Sequence, residues 1–473
     1  MRFYSILPIP TLLILLLFVL VGSAQSTALP ADTNRVIVAK LVIAGNKTTK
    51  EPVIRRELLF KSGDTIAIEN FTYFIEKSKE NLLNTALFNY VYINTFRESP
   101  THMSVYILLE ERWYLWPYVI FEHADRNFSA FLNEKDWSRI NYGLMLVKNN
   151  FRGKRETVKA KFRLGYKEQF QIYYDNPYLS KNQKHGITTD ITYFRQKQVQ
   201  YITLNDKPQQ YSNFSDYMLT HQNYNFTYYF RNKHYTVHKL STNYTKASVA
   251  DTIVSLNPNF FGNYKNQLRF FSLSYIMDHD KRDYKYYPLT GYNVTFMLSR
   301  KGLNLFNTDQ VNIWDFQTSA YTYFKIYKRW YTGTGGKIKL STREKQPYFI
   351  EGALGYDEFL RSFEYNLIDG QRYIINRAFL KYELVPTRVK VIESWNWSKF
   401  NKIHYALYTN VFFDHGYVYD VSPDPSNKLP NQYLYSFGLG IDLVTYYDQV
   451  FRFEYSVNPN GPDGFFIHLG KAF

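Results

Sequence analysis

The stretch Val158-Lys159-Ala160-Lys161-Phe162-Arg163-Leu164-Gly165-Tyr166 carries apolar side chains at every even position and charge or glycine at every odd one. A period of two is the mark of a strand with one apolar face, because successive side chains of a strand leave opposite sides of the sheet. The same split recurs outward from it. Tyr292, Val294, Phe296 and Leu298 alternate with Asn293, Thr295 and Ser299; Phe437, Leu439, Ile441 and Leu443 with Ser436, Gly438, Gly440 and Asp442; Phe451, Phe453 and Tyr455 with Arg452, Glu454 and Ser456. A soluble sandwich also alternates, so the period alone does not decide. Segments of about 10 residues, charges on the second face, aromatics at strand ends and a final strand Phe465 to Phe473 together mark a membrane barrel with a polar lumen. Roughly 360 residues from Trp113 onward, at ~22 per strand and turn, give ~16 strands. The expected fold is mainly β: a 16-stranded transmembrane antiparallel barrel over 113–473 behind one small α+β domain.

Composition agrees. The chain has 473 residues, 45% hydrophobic and 19% aromatic, too apolar for a disordered chain. With no cysteine it forms no disulfide, thiolate metal site, Cys nucleophile or lipid anchor on its own Cys. A mean hydropathy of −0.39 excludes a bundle of membrane helices, each of which needs about 20 consecutive apolar residues. The net charge of +16 is spread through strands and loops without a compact patch, so nucleic acid is not the expected partner. Anionic lipopolysaccharide or an unfolded acidic client fits it better.

Ahead of the barrel lie two other regions. Met1 and Arg2 precede an apolar run from Ile6 to Val21 that exits through Gly22-Ser23-Ala24, the pattern of a cleaved signal peptide over 1–24. A short linker, 25–34, follows. Residues 35–112 then read as β-α-α-β-β: an apolar strand Val36 to Ile43, helical spacing over Glu51 to Phe60 and Phe71 to Leu87, and alternating strands at Tyr90 to Phe96 and Met103 to Leu109.

Particular motifs in this frame resemble the outer-membrane insertase family of BamA and TamA. Leu41-Val42-Ile43-Ala44-Gly45-Asn46-Lys47-Thr48, the Gly63-Asp64 turn and Thr85-Ala86-Leu87-Phe88-Asn89-Tyr90-Val91 look like a POTRA domain. In the barrel, Asn149-Asn150-Phe151-Arg152-Gly153-Lys154 and Tyr174-Asp175-Asn176-Pro177-Tyr178-Leu179 look like family strand ends. Asp280, Arg282, Asp283 and Gly291, with Pro288, resemble the family's DxRDxxxxPxxG turn. Phe412-Phe413-Asp414-His415-Gly416 fits its FxDxG strand, and Leu360-Arg361-Ser362-Phe363 its [VI]RG[FY] loop tip, with Ser362 where glycine is usual. The resemblance implies an insertion or translocation factor that works without nucleotide. Its partners would be unfolded outer-membrane protein clients, the outer-membrane lipid, and periplasmic or lipoprotein partners of the POTRA domain. A passive channel or structural accessory barrel stands beside that reading.

The same resemblance implies that the arginine of the loop meets the acid of the FxDxG strand in the lumen. Parity supports the acid independently: Ile403, Tyr405, Leu407, Val411 and Phe413 share one face, so Asp414 falls on the other and needs a partner there. Arg361, Phe363, Asp414, Phe412 and Gly416 are therefore the expected lumen anchor. A seam is expected where the first strand, near Trp116 to Glu122, meets the last, with Trp116, Gly470 and Phe473 marking it and Gly470 weakening it. Tyr284-Lys285-Tyr286-Tyr287 reads as part of an interfacial aromatic girdle. Asp278, His279, Asp280 and Asp283 are read as a polar strand end in preference to a cation site. Gly438 and Gly440 are read as small residues that permit close packing in a barrel wall. No G-x-S-x-G, Walker loop or H-E-x-x-H occurs, so neither an enzyme nor a cofactor or metal is expected.

Overall fold

The alternating segments become strands. The computed structural model describes residues 35–470 apart from 124–139, 214, 306–310, 343–344, 396, 398 and 462. The expected signal peptide and linker, and Phe473, lie outside the described residues.

The first domain runs β1 (Arg35–Ala44), α1 (Glu51–Arg55), β2 (Thr65–Ala67), α2 (Ile68–Leu83), β3 (Phe88–Arg97) and β4 (His102–Glu111). Its sheet has the order β2-β1-β4-β3, with β1 parallel to β4. Val36, Val38, Val105, Ile107 and Leu109 on one face of the sheet pack on Ile54, Phe71, Ile75 and Leu82 of the helices. Two boundaries differ from the sequence reading. The second helix ends at Leu83 and not Leu87, because Asn84 caps it and Ala86 turns left-handed at φ 59°. The three-residue β2 is added to the β1 edge, a strand too short to show a period.

The barrel strands are β5 (Leu115–His123), β6 (Ile140–Phe151), β7 (Glu156–Gly165), β8 (Lys167–Asn176), β9 (His185–Gln196), β10 (Gln198–Leu204), β11 (Lys207–Ser212), β12 (Leu219–Phe230), β13 (Thr236–Val249), β14 (Gln267–Asp280), β15 (Gly291–Lys301), β16 (Ile313–Tyr327), β17 (Trp330–Ser341), β18 (Arg372–Val391), β19 (Lys402–Tyr419), β20 (Tyr433–Thr445), β21 (Val450–Val457) and β22 (Gly464–Gly470). Sixteen of them form one antiparallel sheet in chain order from β5 to β22, with β9 next to β12. β10 and β11 form a separate hairpin at the rim away from the first domain. There its Val199 joins a cluster of Phe260, Phe261, Leu268, Phe270 and Ile313. The parity is as read: Phe162, Ile172, Phe226, Leu240, Val411 and Phe413 are exposed on the outer, lipid side, and polar side chains face inward.

The first domain sits on the near mouth of the barrel. Glu57, at the end of α1, takes a forked pair of hydrogen bonds from Arg231 in the β12–β13 turn, both 2.7 Å, and a third from the Tyr178 hydroxyl at 2.8 Å. Asn84 donates to the Asp283 carbonyl at 2.9 Å, and Lys50 N–H to the Gly153 carbonyl at 2.9 Å. Lys402 pairs with Glu110 at 2.7 Å. Between domain and barrel lies a cavity of about 1260 Å³ lined by residues of both, among them Glu57, Arg155, Arg231 and Lys285.

Burial alone would raise the Glu57 pKa, but the charge and hydrogen bonds of Arg231, with Arg155 and Tyr178, outweigh it and hold the carboxyl at about 2 against an ordinary 4.5. A depressed acid contributes its full share above its ordinary value and loses it as pH falls through the depressed one. Docking of the POTRA domain is therefore predicted to hold from neutral pH to about 4.5 and to loosen below it, read by the distance between dyes on the domain and on the barrel rim. Glu57→Gln should loosen it already at pH 7, by about 3–5 kcal/mol, because it leaves Arg231 buried without its charge partner.

Candidate functional site

The segment 345–371 between β17 and β18 folds back into the barrel. Leu354, Leu360, Phe363 and Ile368 pack there on Tyr373, Ile375, Val418 and Leu434 of the wall. This packing carries Arg361 to the lumen face of β19. Its Nε donates to Asp414 Oδ2 at 2.7 Å, one Nη to Asp414 Oδ1 at 2.5 Å, and the other to Glu454 Oε1 at 3.3 Å. Arg361 is 2% exposed and Asp414 0%. The guanidinium also lies 3.6 Å from the ring centroid of Phe412, a stacked cation–π contact. Wall glycines make the room: a Cβ on Gly438 would stand 2.6 Å from the Phe412 ring, and one on Gly440 2.9 Å from the Glu454 side chain. A Cβ on Gly416 would stand 2.9 Å from the Ile375 side chain, beneath the same loop.

Ser362 adopts φ 71°, a left-handed conformation that glycine holds at less cost. The serine has a compensation that glycine lacks. Asn458 Nδ2 donates to its hydroxyl at 2.8 Å and to its carbonyl at 3.1 Å.

Around this anchor runs a longer charge network that sequence reasoning did not find. Arg377 on β18 bonds Glu358 of the loop at 2.7 Å, and His468 on β22 lies 3.1 Å from Glu364. Arg452 on β21 bonds Asp442 on β20 at 2.8 Å, with Lys381 at 3.8 Å, and Tyr287 reaches Asp442 from the POTRA side at 2.7 Å. All of it lies against β18 to β22. The available signal was parity, which puts Asp442, Arg452 and Glu454 on the lumen face but does not say which partner lies across the lumen.

The 280–291 turn is braced by bonds of its own as well as by its neighbours. Arg282 donates to both oxygens of Asp280, at 2.9 and 2.8 Å, and Asp283 accepts from the backbone of Tyr284 and Leu289. Gly291 turns at φ 96°, with the Lys281 carbonyl 2.2 Å from where a Cβ would be. The carboxylates of Asp280 and Asp283 serve these bonds, and Asp278 accepts from Asn293 at 2.8 Å and Thr295 at 3.1 Å. The tyrosines that follow are not a girdle. Tyr287 is buried with its hydroxyl on Asp442, and Tyr284 donates to Asp448, because the turn folds inward across the near mouth and supplies hydroxyl donors to buried carboxylates.

The two end strands of the sheet, β5 and β22, share no ladder among the described residues. β5 pairs with β6 without interruption through Pro117↔Leu146. The proline, which has no N–H to give, thus sits where β6 does not need one, and its ring nitrogen faces the gap. Gly470 ends the described part of β22 at φ 144° in open space. Trp116 stands on β5 at the end of the gap nearest the first domain. Its ring lies against Tyr447 and Phe400 under the barrel mouth, with centroids 4.9 and 6.0 Å away.

Removing Arg361 takes the forked partner from Asp414, leaving it Arg377 at 3.9 Å, and leaves Glu454 to Arg452 at 3.5 Å, a loss of about 3 kcal/mol for a broken buried pair. Arg361→Ala is therefore predicted to free the 345–371 segment, seen as new protease cleavage there, while Arg361→Lys restores charge without the fork and falls between. Ser362→Gly should stay within about 1 kcal/mol of wild type, relief of the backbone offsetting the lost hydroxyl bond. Ser362→Val should destabilise the loop clearly, because a β-branched residue fits a left-handed position worst.

The POTRA family, described as "Surface antigen variable number repeat", matches residues 36–112. No curated protein matches the chain. Among solved structures, CdiB from Escherichia coli is similar at 12% identity and a TM-score of 0.54, over 93% of this chain and 76% of that one. BamA from Haemophilus ducreyi lacking POTRA domains 1-3 is 13% identical at a TM-score of 0.49, over 93% and 85%. CdiB from Acinetobacter baumannii is 11% identical at 0.47, over 92% and 74%. The chain thus has a POTRA domain at 36–112 and behind it a 16-stranded antiparallel barrel, a build whose fold it shares with CdiB from Escherichia coli.

Proposed function

We propose that the protein resides in the bacterial outer membrane with its POTRA domain in the periplasm, and that it assembles or translocates polypeptide clients through the seam between β5 and β22. The observation that carries the reading is that these strands share no ladder among the described residues. A strand edge with free N–H and C=O groups templates another strand, and in a bilayer each unpaired backbone group costs several kcal/mol, so a client strand gains by pairing there. The energy comes from the client's own burial and hydrogen bonding, and the protein lowers the barrier. No nucleotide or cofactor enters the scheme.

The filled lumen supports an assembly role over a passive channel. The 345–371 segment packs inside the barrel, and the POTRA domain covers the near mouth. On the POTRA sheet, β3 is an edge strand and offers a second place for strand addition by a client or a periplasmic partner.

The test is assembly of an unfolded outer-membrane protein into liposomes that hold wild type, Arg361→Ala or no protein, read by protease protection. Wild type should accelerate assembly over empty liposomes, and Arg361→Ala should reduce the gain. Rates equal to those of empty liposomes, with ion conductance through the same vesicles, would favour the channel.

A further inference from the structure

The seam is gripped at one end. Just before β5, Arg112 forks onto Asp448 at 2.6 and 2.8 Å, and both side chains are 8% exposed. The Trp113 N–H donates to the Tyr447 hydroxyl at 2.9 Å, and the Arg112 guanidinium lies 5.7 Å from the Tyr447 ring centroid. Trp116 meets Tyr447 edge to face, and Trp113 lies 6.2 Å from Phe400. Tyr447 and Asp448 belong to the turn Tyr446–Asp448 between β20 and β21, on the far side of the gap. The residues that lead into the first strand are thus held by a turn of the last strands.

That turn is shaped for the grip. Tyr447 and Asp448 are successive left-handed residues, φ 58° and 64°, a conformation that persists only where surroundings over-determine it. Here they do. Asp448 receives Arg112 and the Tyr284 hydroxyl, and Tyr446 donates its hydroxyl to the Lys399 carbonyl, which ties the turn to the loop that carries Phe400.

Beyond Pro117 the described residues of β5 are held from the β6 side alone, by the ladder that runs on to His123↔Ile140 and by Glu122, 3.4 Å from Arg163 of β7. No ladder joins them to the described residues of β22 across the gap, and Val119 and Phe121 face outward, 83% and 71% exposed. Proline divides a gripped foot, Arg112 to Trp116, from an open edge above it.

We infer that the Tyr446–Asp448 turn is a latch and pivot for the first strand: the seam opens from the rim away from the POTRA domain, while the foot of β5 stays fixed beneath β20 and β21. This rests on the seam reading above and assigns its direction. A client strand then pairs with the open edge above Pro117, and the latch keeps β5 attached to the barrel while that pairing lasts.

The test uses the full chain in liposomes, where the absence of native cysteine leaves each introduced thiol unique. Spin labels are placed on Leu115→Cys with Leu469→Cys at the foot and on Phe121→Cys with Phe465→Cys at the far rim, and distances are read by double electron–electron resonance. The foot pair should give a narrow distribution and the rim pair one at least twice as wide. Asp448→Asn, which keeps the shape and tolerates the left-handed backbone, should widen the foot distribution. If that variant does not fold, Tyr447→Phe, which removes only the hydroxyl that accepts from Trp113, serves in its place. Equal widths at both ends, or a foot unmoved by either variant, would overturn the latch. Because the readout is a distance, a latch that behaves as expected in a protein that assembles no client would leave the pivot standing and overturn the functional reading.

Discussion

Charge buried in the lumen organises this barrel. Asp414 and Glu454 stand on the inner face of β19 and β21, out of contact with solvent, where a carboxylate calls for a charge partner. Arg361 supplies it, with both carboxylates and the Phe412 face around one guanidinium. To do so the 345–371 segment must fold inward, and its apolar residues then fill the lumen against β18, β19 and β20. Gly438 and Gly440 follow from the same demand, since any side chain there would meet Phe412 or Glu454. Wall, loop and small residues are one solution to one desolvation problem.

The consequence is an uneven barrel. Strands β18 to β22 are tied to the loop and to each other by Arg377, Asp414, Asp442, Arg452, Glu454 and His468. Among the described residues the first strand takes no part in that network, and its Glu122 pairs instead with Arg163 of β7 at 3.4 Å. It is held to β6 by its ladder and, at its foot, to the β20–β21 turn by Arg112 and two tryptophans. A rigid half and a strand joined to it without a ladder are what a lateral seam requires, and the stiffness of the one gives the other a fixed edge to part from.

Much of this was legible in the sequence. The alternation from Val158 to Tyr166 and its repeats carry the strand count and the two faces, because a half-buried strand leaves no other pattern. Arg361 and Asp414 were legible as a pair because a loop motif and a strand parity pointed to the same acid. What could not be read depends on distance across space. Glu57 and Arg231 meet although 174 positions separate them, and nothing local in either segment marks the other. Tyr284 and Tyr287 look like any tyrosines near a membrane surface, and only the inward fold of the turn shows that they serve Asp448 and Asp442. Ser362 departs from the family's glycine, and the reason it is tolerated lies on another loop, in Asn458.

The central claim is that the β5–β22 gap must part for the protein to act. A thiol-specific, reducible cross-linker joining Val119→Cys on β5 to Ile467→Cys on β22, applied to the chain in liposomes, tests it directly through the rate at which an unfolded outer-membrane protein becomes protease-protected. The account predicts that cross-linking abolishes the acceleration and that reduction restores it; full acceleration by the cross-linked protein would contradict it.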